Sequence, residues 1–453
     1  MRILLVIILS LFVSSTTCLI ADPTGIPDLI NLLNQPKLGG DCFGYRPVAE
    51  TNGVVLSLQS TSDLLGNTTG GAATGTTYSG LLDFNLAVDL QKAVGWAGAS
   101  FKSSWLWLYG SNLSTRYIGN ALAVSSIAGY PAFRADELWL QQNFLHDAIS
   151  LRGGMLALDT EFLISDTASL FVNNTFGPLG LFTMDVPNSG PTYPMGTPGI
   201  RLALQPTSWL TFRTALTQAN PLAQNVNRSG FDWNFGPQGG LLSLNEAAAT
   251  WNKETNAKGL PGTAKLGFWL QNSQAENYPG IAPGAYSSGF YGIIDQQLYA
   301  VPDKPASPSP SSSSSGKNCV DASKNPQPAA SSCACSGKGL SSFARIGFSP
   351  QSSSQVSFYS DAGLVDTGLI PTRDADKLGV AFGYAQAGSQ VDSAILSNTG
   401  YRASYEAVAE LSYSAQLTPA IVLQPDLQYI LHPGGTQQYG NALVVGMRAV
   451  VNF

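Results

Sequence analysis

The sequence predicts an all-β membrane protein, an antiparallel transmembrane β-barrel. Three observations predict it: only 11% of residues are charged, no later apolar run matches a spanning helix, and apolar and polar residues alternate near the C-terminus. Ordinary soluble proteins carry roughly 25% charged residues, and a spanning helix needs roughly 20 apolar ones. A barrel meets all three conditions, because lipid-facing and lumen-facing residues alternate along its strands.

The N-terminus predicts export. Arg2 precedes an apolar run over residues 3–9 and small residues at 14–17, which is the pattern of a secretory signal peptide. We expect the signal to cover residues 1–21. Lipidation of Cys18 is the alternative, although Ser15, Thr16 and Thr17 match a lipobox poorly.

The rest of the chain is predicted as a lead-in and one barrel. In residues 22–38, apolar positions follow helical spacing and predict a short periplasmic helix. Residues 39–453 form the barrel. Within it, residues 301–338 are rich in Ser and Pro, a composition that cannot bury enough apolar surface to fold alone. Because strand patterns continue on both sides, we expect a disordered external loop and not a domain linker.

Three of the cysteines lie close together in the sequence, and the predicted export of the protein indicates their state. Cys319, Cys333 and Cys335 share the Ser/Pro-rich stretch, and an exported protein can form disulfides. Cys319 with Cys333 or Cys335 is the expected pairing, and free or externally paired thiols are the alternative. No histidine lies nearby, so a metal site is not expected.

The C-terminal strands show the alternation most clearly. In residues 409–417 the odd positions are mostly apolar and the even positions are Glu, Ser, Ser and Gln. A turn at 418–420 and two further alternating strands follow. Phe453 ends the last strand, and outer-membrane barrels commonly end in an aromatic residue that the barrel-assembly machinery recognises. We therefore expect insertion into outer-membrane lipid through that machinery.

No motif predicts catalysis or a cofactor. The two histidines, His146 and His432, lie far apart in sequence, and no Gly-x-Ser-x-Gly or phosphate-binding motif is present. The net charge of -6 gives no indication of a nucleic-acid partner. We expect neither an enzyme nor a cofactor-dependent protein.

Several motifs occur in a recognisable order. They are residues 40–47 (GDCFGYRP), 117–120 (YIGN), 137–142 (ELWLQQ), 423–429 (LQPDLQY) and 433–435 (PGG). With them, the chain resembles the carbohydrate-selective porin (OprB) family from about residue 39 to 453, although Cys42 stands where Trp is more usual. The resemblance implies a sixteen-stranded porin that lets glucose-like sugars diffuse into the periplasm.

Strand parity nominates pore-lining residues, because a charged side chain that faces lipid is costly. The candidates are Arg134, Glu137, Trp139, Gln141, Arg152, Glu410, Asp426, Gln428 and Arg448. Of these, Arg134, Glu137 and Arg152 lie where the resemblance is densest. A general channel, or one for polyols or organic acids, is the alternative, followed by a soluble all-β binding protein. The sequence leaves a homo-oligomer open.

Overall fold

The computed structural model describes residues 35–42, 44–254, 257, 259–274, 286–301 and 338–453. Within them, sixteen strands form a closed antiparallel barrel in which sequence neighbours pair and the first strand pairs with the last. The predicted fold class and strand number are confirmed. The strands are β1 (Val54–Gly71), β2 (Gly75–Asp89), β3 (Ala99–Gly110), β4 (Ala132–Phe144), β5 (Ile149–Leu156), β6 (Thr197–Thr207), β7 (Leu210–Gln218), β8 (Leu241–Trp251), β9 (Gly262–Gln271), β10 (Ser287–Ala300), β11 (Gly339–Phe348), β12 (Val356–Thr367), β13 (Lys377–Ala387), β14 (Tyr405–Thr418), β15 (Ile421–Leu431) and β16 (Gly440–Asn452).

Alternation along the strands separates two faces. Large apolar side chains such as Leu266, Phe290 and Leu411 are exposed on the outer surface, where lipid would contact them. Their sequence neighbours Lys265 and Glu410 point to the inner face, and Glu410 is buried there. The two-residue period therefore works as the C-terminal sequence predicts.

Helices are few and short. They are α1 (Tyr45–Thr51), α2 (Leu90–Val94), α3 (Gly180–Asp185) and α4 (Ser389–Thr399), with a π-helical turn at Ser114–Ile118 and 3-10 turns at Leu158–Thr160, Ala168–Leu170, Asn174–Phe176, Pro187–Ser189 and Pro433–Gly435. In the part of the chain that the structure describes, no helix is long and apolar enough to cross a membrane.

The two ends of the barrel differ in their connections. At the end that carries the start of β1 and the end of β16, β6 joins β7 and β14 joins β15 through two residues each. At the other end, residues 111–131 join β3 to β4 and residues 157–196 join β5 to β6. Short turns face the periplasm and long loops face outward in such barrels. The chain termini therefore lie at the periplasmic end.

This topology bears on the Ser/Pro-rich stretch. Its flanking residues Ala300 and Gly339 pair with each other at the end of the barrel that carries the termini. Residues 302–337 themselves lie outside the described part of the chain. The prediction of a disordered external loop over residues 301–338 therefore lies outside the described residues, apart from the two end residues Val301 and Lys338.

At the periplasmic end the N-terminal residues contact the last strand. The Leu38 amide donates to the Asn452 carbonyl (2.9 Å). Cys42 is a free thiol whose Sγ lies 3.5 Å from the Gly39 carbonyl oxygen. The predictions for residues 1–21, for all but the end of 22–38, and for Cys319, Cys333 and Cys335 lie outside the described residues.

Candidate functional site

The long connection between β5 and β6, residues 157–196 and called the inner segment below, folds into the barrel. Its phenylalanines pack against aromatic side chains of the wall. The ring centroids of Phe182 and Trp269 are 5.4 Å apart, and those of Phe176 and Phe343 are 6.2 Å apart. All four rings are buried. An apolar cluster therefore fills part of the lumen and narrows the path left for water.

A buried ion pair anchors the inner segment to the wall. Arg345 Nη2 lies 2.5 Å from Asp361 Oδ2, and neither side chain is exposed. The same guanidinium donates to the carbonyls of Thr175 (2.8 Å) and Gly177 (2.5 Å) in the inner segment. Burial of a charge is tolerated when the charge is paired and hydrogen-bonded. Arg345 therefore holds the inner segment through its backbone.

The wall formed by β14, β15, β16 and β1, called the covered wall below, lies under the inward-folded connections. Glu410 accepts hydrogen bonds from the amides of Val172 (2.6 Å) and Asn173 (3.0 Å) of the inner segment. Gln428 donates to the carbonyl of Val124 (2.9 Å), in the β3–β4 connection. These polar side chains satisfy backbone groups that would otherwise be buried without partners.

Three further charged residues, Arg448, Asp63 and Asp426, complete the covered wall. Arg448 donates to both carboxylate oxygens of Asp63 at 2.7 and 2.8 Å, and Ser125 of the β3–β4 connection donates to Asp63 at 2.6 Å. Asp426 accepts from Gln428 at 2.7 Å. The sequence-predicted pore residues Glu410, Asp426, Gln428 and Arg448 thus face inward but are buried. Glu410 and Gln428 contact the inward-folded connections directly, and Arg448 does so through Asp63. Asp426 contacts Gln428 of its own strand.

The opposite wall, β4 to β9 and called the open wall below, carries a row of polar side chains. Register sets Gln141 beside Arg152, and Arg152 beside Arg201. Gln141 Oε1 accepts from Arg152 (2.9 Å) and from Arg201 (2.8 Å). Glu161 of the inner segment faces them, with its carboxylate 2.7 Å from Arg201 Nε and 3.2 Å from Arg152 Nη2. Two guanidinium groups therefore contact one carboxylate. Arg152 and Glu161 are partly exposed, whereas Gln141 and Arg201 are buried.

The row continues over β7 to β9. Arg213 and Glu246 are register partners, and Arg213 Nη1 lies 3.6 Å from Glu246 Oε1. Tyr291 donates to Glu246 at 2.9 Å, and its ring lies where a Cβ on Gly267 would come within 2.2 Å, so only glycine fits. Lys265 Nζ donates to a carbonyl of the inner segment (2.8 Å). The polar row, as named below, comprises Gln141, Arg152, Arg201, Arg213, Glu246 and Lys265, with Glu161 facing it.

Two carboxyl groups of the inner segment have opposite pKa shifts. Burial alone would raise the pKa of Glu161, but the charges of Arg152, Arg201 and Arg213 outweigh it and lower the pKa to about 2. Burial raises the pKa of Asp159 to about 7, against a backbone hydrogen bond that lowers it. Glu161 is therefore a permanent carboxylate at neutral pH, whereas Asp159 is partly protonated there.

Arg134 and Glu137 lie beside the polar row. Asp136 is an extra residue in the β3–β4 ladder, and this bulge brings both side chains to the inner face. Arg134 is fully buried and donates to a carbonyl of the β7–β8 connection at 2.9 Å. Glu137 forms an ion pair with Lys102 and accepts from the Trp139 indole N–H at 2.9 Å. Arg134 and Glu137 therefore make structural contacts and do not line the open channel.

Of the nine sequence-predicted pore residues, Gln141 and Arg152 belong to the polar row. Trp139 supports it, because the Arg152 guanidinium carbon lies 3.8 Å from the centre of the indole ring. The sequence reasoning missed Glu161 and four members of the polar row, namely Arg201, Arg213, Glu246 and Lys265; the polar row and Glu161 together are called the constriction below. Among the residues placed by the structure, no three His, Cys, Asp or Glu side chains are arranged to share a metal ion.

Comparison with known proteins agrees with this architecture. The model of the carbohydrate-selective porin, OprB family matches residues 73–453. The chain belongs to this family. Porin B of Pseudomonas aeruginosa is 23% identical over 463 aligned residues, which cover 93% of this chain and 92% of that porin. The family resemblance that the sequence motifs indicate is therefore confirmed.

Solved porins share the fold. The high-pH structure of Pseudomonas putida OprB is 22% identical, covers 93% of this chain and 99% of its own, and superposes with a TM-score of 0.76. The low-pH structure of the same protein covers equal shares at 17% identity, with a TM-score of 0.55. Family and fold together make this chain an outer-membrane porin of the carbohydrate-selective class, and hence a transport channel.

Proposed function

We propose that this porin passes neutral, glucose-sized sugars by facilitated diffusion and that the polar row is where they bind. The observation that carries the proposal is the side-by-side arrangement of Gln141, Arg152 and Arg201 opposite Glu161. Sugar hydroxyls donate and accept hydrogen bonds, so a wall of guanidinium donors facing a carboxylate acceptor suits them. A neutral solute gains these contacts without needing a charge of its own.

Sugar binding at the polar row is expected to be weak. Each guanidinium of the Arg152 and Arg201 pair already shares Gln141 and Glu161, so a sugar exchanges existing hydrogen bonds instead of filling empty positions. Conduction requires release as well as entry. We expect half-saturation near 1 mM, which corresponds to about 4 kcal/mol.

The test is a titration of single-channel current with glucose in a planar bilayer. Glucose in the polar row should interrupt the ion current, with half-maximal effect in the millimolar range. Arg201→Gln removes donors to both Glu161 and Gln141 and should raise that concentration about tenfold, the effect of losing a charge-assisted hydrogen bond. Arg402→Gln, at a mostly exposed ion pair outside the barrel strands, is the matched control.

The hypothesis of a general channel predicts a different result in these experiments. Glucose would leave the current unchanged, and glucose, sucrose and a charged solute of similar size would permeate at equal rates in liposome swelling. Those two observations together would remove the sugar-binding role of the polar row.

We also propose that Phe453 presents the last strand to the barrel-assembly machinery. Its amide donates to the Leu58 carbonyl (2.9 Å), so the terminal residue lies at the seam between β16 and β1. Phe453→Ala should reduce the amount of heat-modifiable barrel in outer-membrane fractions without changing the conductance of the channels that do insert. Normal yields would contradict this role.

A further inference from the structure

The polar row carries more positive than negative charge. Its cations are Arg152, Arg201, Arg213 and Lys265, and the carboxylates that face or join it are Glu161 and Glu246. Nearby, Lys102 pairs with Glu137 and adds no net charge. Asp159, partly protonated at neutral pH, contributes less than one negative charge. Within the polar row and Glu161, four cations therefore meet two carboxylates; Asp83, Asp136 and Asp295 are further carboxylates beside this set and are not part of it.

The carboxylates are engaged more fully than the cations. Glu246 has no exposed side-chain surface and accepts from Tyr291 and from the Leu163 amide (2.9 and 3.2 Å). Glu161 is held by Arg201 through two hydrogen bonds of 2.7 and 2.9 Å. These partners fix both acidic groups, so neither is free to turn toward a passing cation.

Two cations keep donors available to the channel. Within the described residues, Arg213 makes no hydrogen bond and only the 3.6 Å ion pair with Glu246, while 23% of its side chain is exposed. Lys265 is partly buried and uses one donor, toward the Ile164 carbonyl. An ammonium has three donors and a guanidinium has five. Arg213 and Lys265 can therefore donate hydrogen bonds to a carboxylate without breaking the Arg201–Glu161 contact.

We propose that the constriction also conducts monoanionic sugars, namely aldonates and uronates, and that it conducts them faster than cationic amino sugars of equal size. The carboxylate would bind Arg213 and Lys265 while the hydroxyls use the rest of the polar row. The inference rests on the proposed function, since it assumes that sugars traverse the polar row. It extends the solute class from neutral sugars to sugar acids.

The test compares fluxes of glucose, gluconate and glucosamine through the full-length porin in vesicles of zwitterionic lipid. At low ionic strength, gluconate should cross about tenfold faster than glucosamine, because a charged cleft concentrates the opposite charge. The difference should shrink in about 1 M salt, where the screening length is about 3 Å. Gluconate that crosses no faster than glucosamine, while glucose crosses readily, would overturn the inference alone. Failure of glucose to cross would overturn the proposed function.

Two variants test whether Arg213 and Lys265 cause the preference for gluconate over glucosamine. The double variant Arg213→Gln, Lys265→Gln removes the two available cations, and the gluconate-to-glucosamine flux ratio should fall to about one. Lys92→Gln removes one charge from the short helix α2 at the periplasmic end, where the ammonium is mostly exposed, and should keep the original ratio. An unchanged ratio in the double variant would show that the preference arises elsewhere. Heat-modifiable mobility confirms that each variant is folded.

Discussion

The covered wall and the open wall both direct charged side chains into the lumen, yet these side chains have different roles. On the covered wall, Glu410 binds backbone amides of the inner segment and Arg448 binds Asp63. On the open wall, Arg213 keeps unused donors and Glu161 is partly exposed. An inward-facing charge therefore does not by itself identify a solute contact. What covers the side chain decides its role.

The largest expected effect comes from the anchor of the inner segment. Arg345→Ala leaves Asp361 buried without its partner, which costs about 3–5 kcal/mol. We expect a large fall in the temperature of heat-modification and a higher single-channel conductance as the inner segment loosens. Replacing both partners, as Arg345→Met with Asp361→Leu, should cost less than the single change. A single variant as stable as the parent would contradict the anchoring role.

Stability should also fall as pH rises from about 4 to 8. Burial raises the pKa of Asp185 to about 7, against backbone and Ser349 hydrogen bonds that lower it. The folded pKa of Asp185 exceeds the unfolded value. Its contribution to the free energy of unfolding is therefore complete below pH 3.8 and is lost as pH rises through 7. The difference between the two pKa values corresponds to a loss of at most about 4 kcal/mol in the free energy of unfolding.

Asp185→Asn should flatten the pH dependence of the heat-modification temperature in part. A contribution from Asp159, whose pKa is also about 7, should remain. Asp374→Asn, at an exposed carboxylate of a periplasmic turn, provides the control and should leave the profile as it is. A profile that Asp185→Asn does not alter would assign the pH dependence to other groups.

Removing one carboxylate charge from each wall tests the difference between the two walls. Glu161→Gln deletes a negative charge; for an ion that passes at an assumed distance of about 5 Å, this charge is worth about 0.8 kcal/mol in water. The energy has opposite sign for anions and cations, so the anion-to-cation permeability ratio should rise roughly fifteenfold. Glu410→Gln should leave that ratio unchanged and instead lower stability by about 1–3 kcal/mol, since it weakens two buried hydrogen bonds. Reversal potentials and heat-modification temperatures measure the two effects. Equal shifts in selectivity would remove the distinction.

The smallest expected effect concerns Arg152. Arg152→Ala removes a donor to Gln141 and the contact with Trp139, and Arg201 continues to hold Glu161. We expect glucose flux to fall about threefold, near 0.7 kcal/mol, with a smaller change in small-ion conductance. Proportional changes in both would mean that Arg152 only forms part of the wall.

The sequence predicts the barrel because alternation is a property of each strand taken alone. The same parity places Gln428 and Arg448 on the inner face, where the structure has them. It also applies to Arg201 and Arg213, which stand beside lipid-facing Ile200 and Phe212, so a wider search by parity would have found them.

The positions of other inward-facing residues have no such local signal in the sequence. Glu161 lies in a connection, and its place in the channel depends on how the inner segment packs. Arg134 and Glu137 are three residues apart, so simple alternation sets them on opposite faces, and only the bulge at Asp136 unites them. Burial of Glu410 under Val172 is equally a property of the assembled barrel.

The aromatic filling of the inner segment also constrains how this porin can be assembled. Until β1 meets β16, the wall that encloses rings such as Phe176 and Phe182 is incomplete, while the outer face is apolar as well. An unclosed barrel would therefore expose apolar surface on both sides, which favours aggregation. Closure of the wall and burial of the rings are thus coupled, and the unclosed chain exposes more apolar surface than that of a porin with a wet interior would.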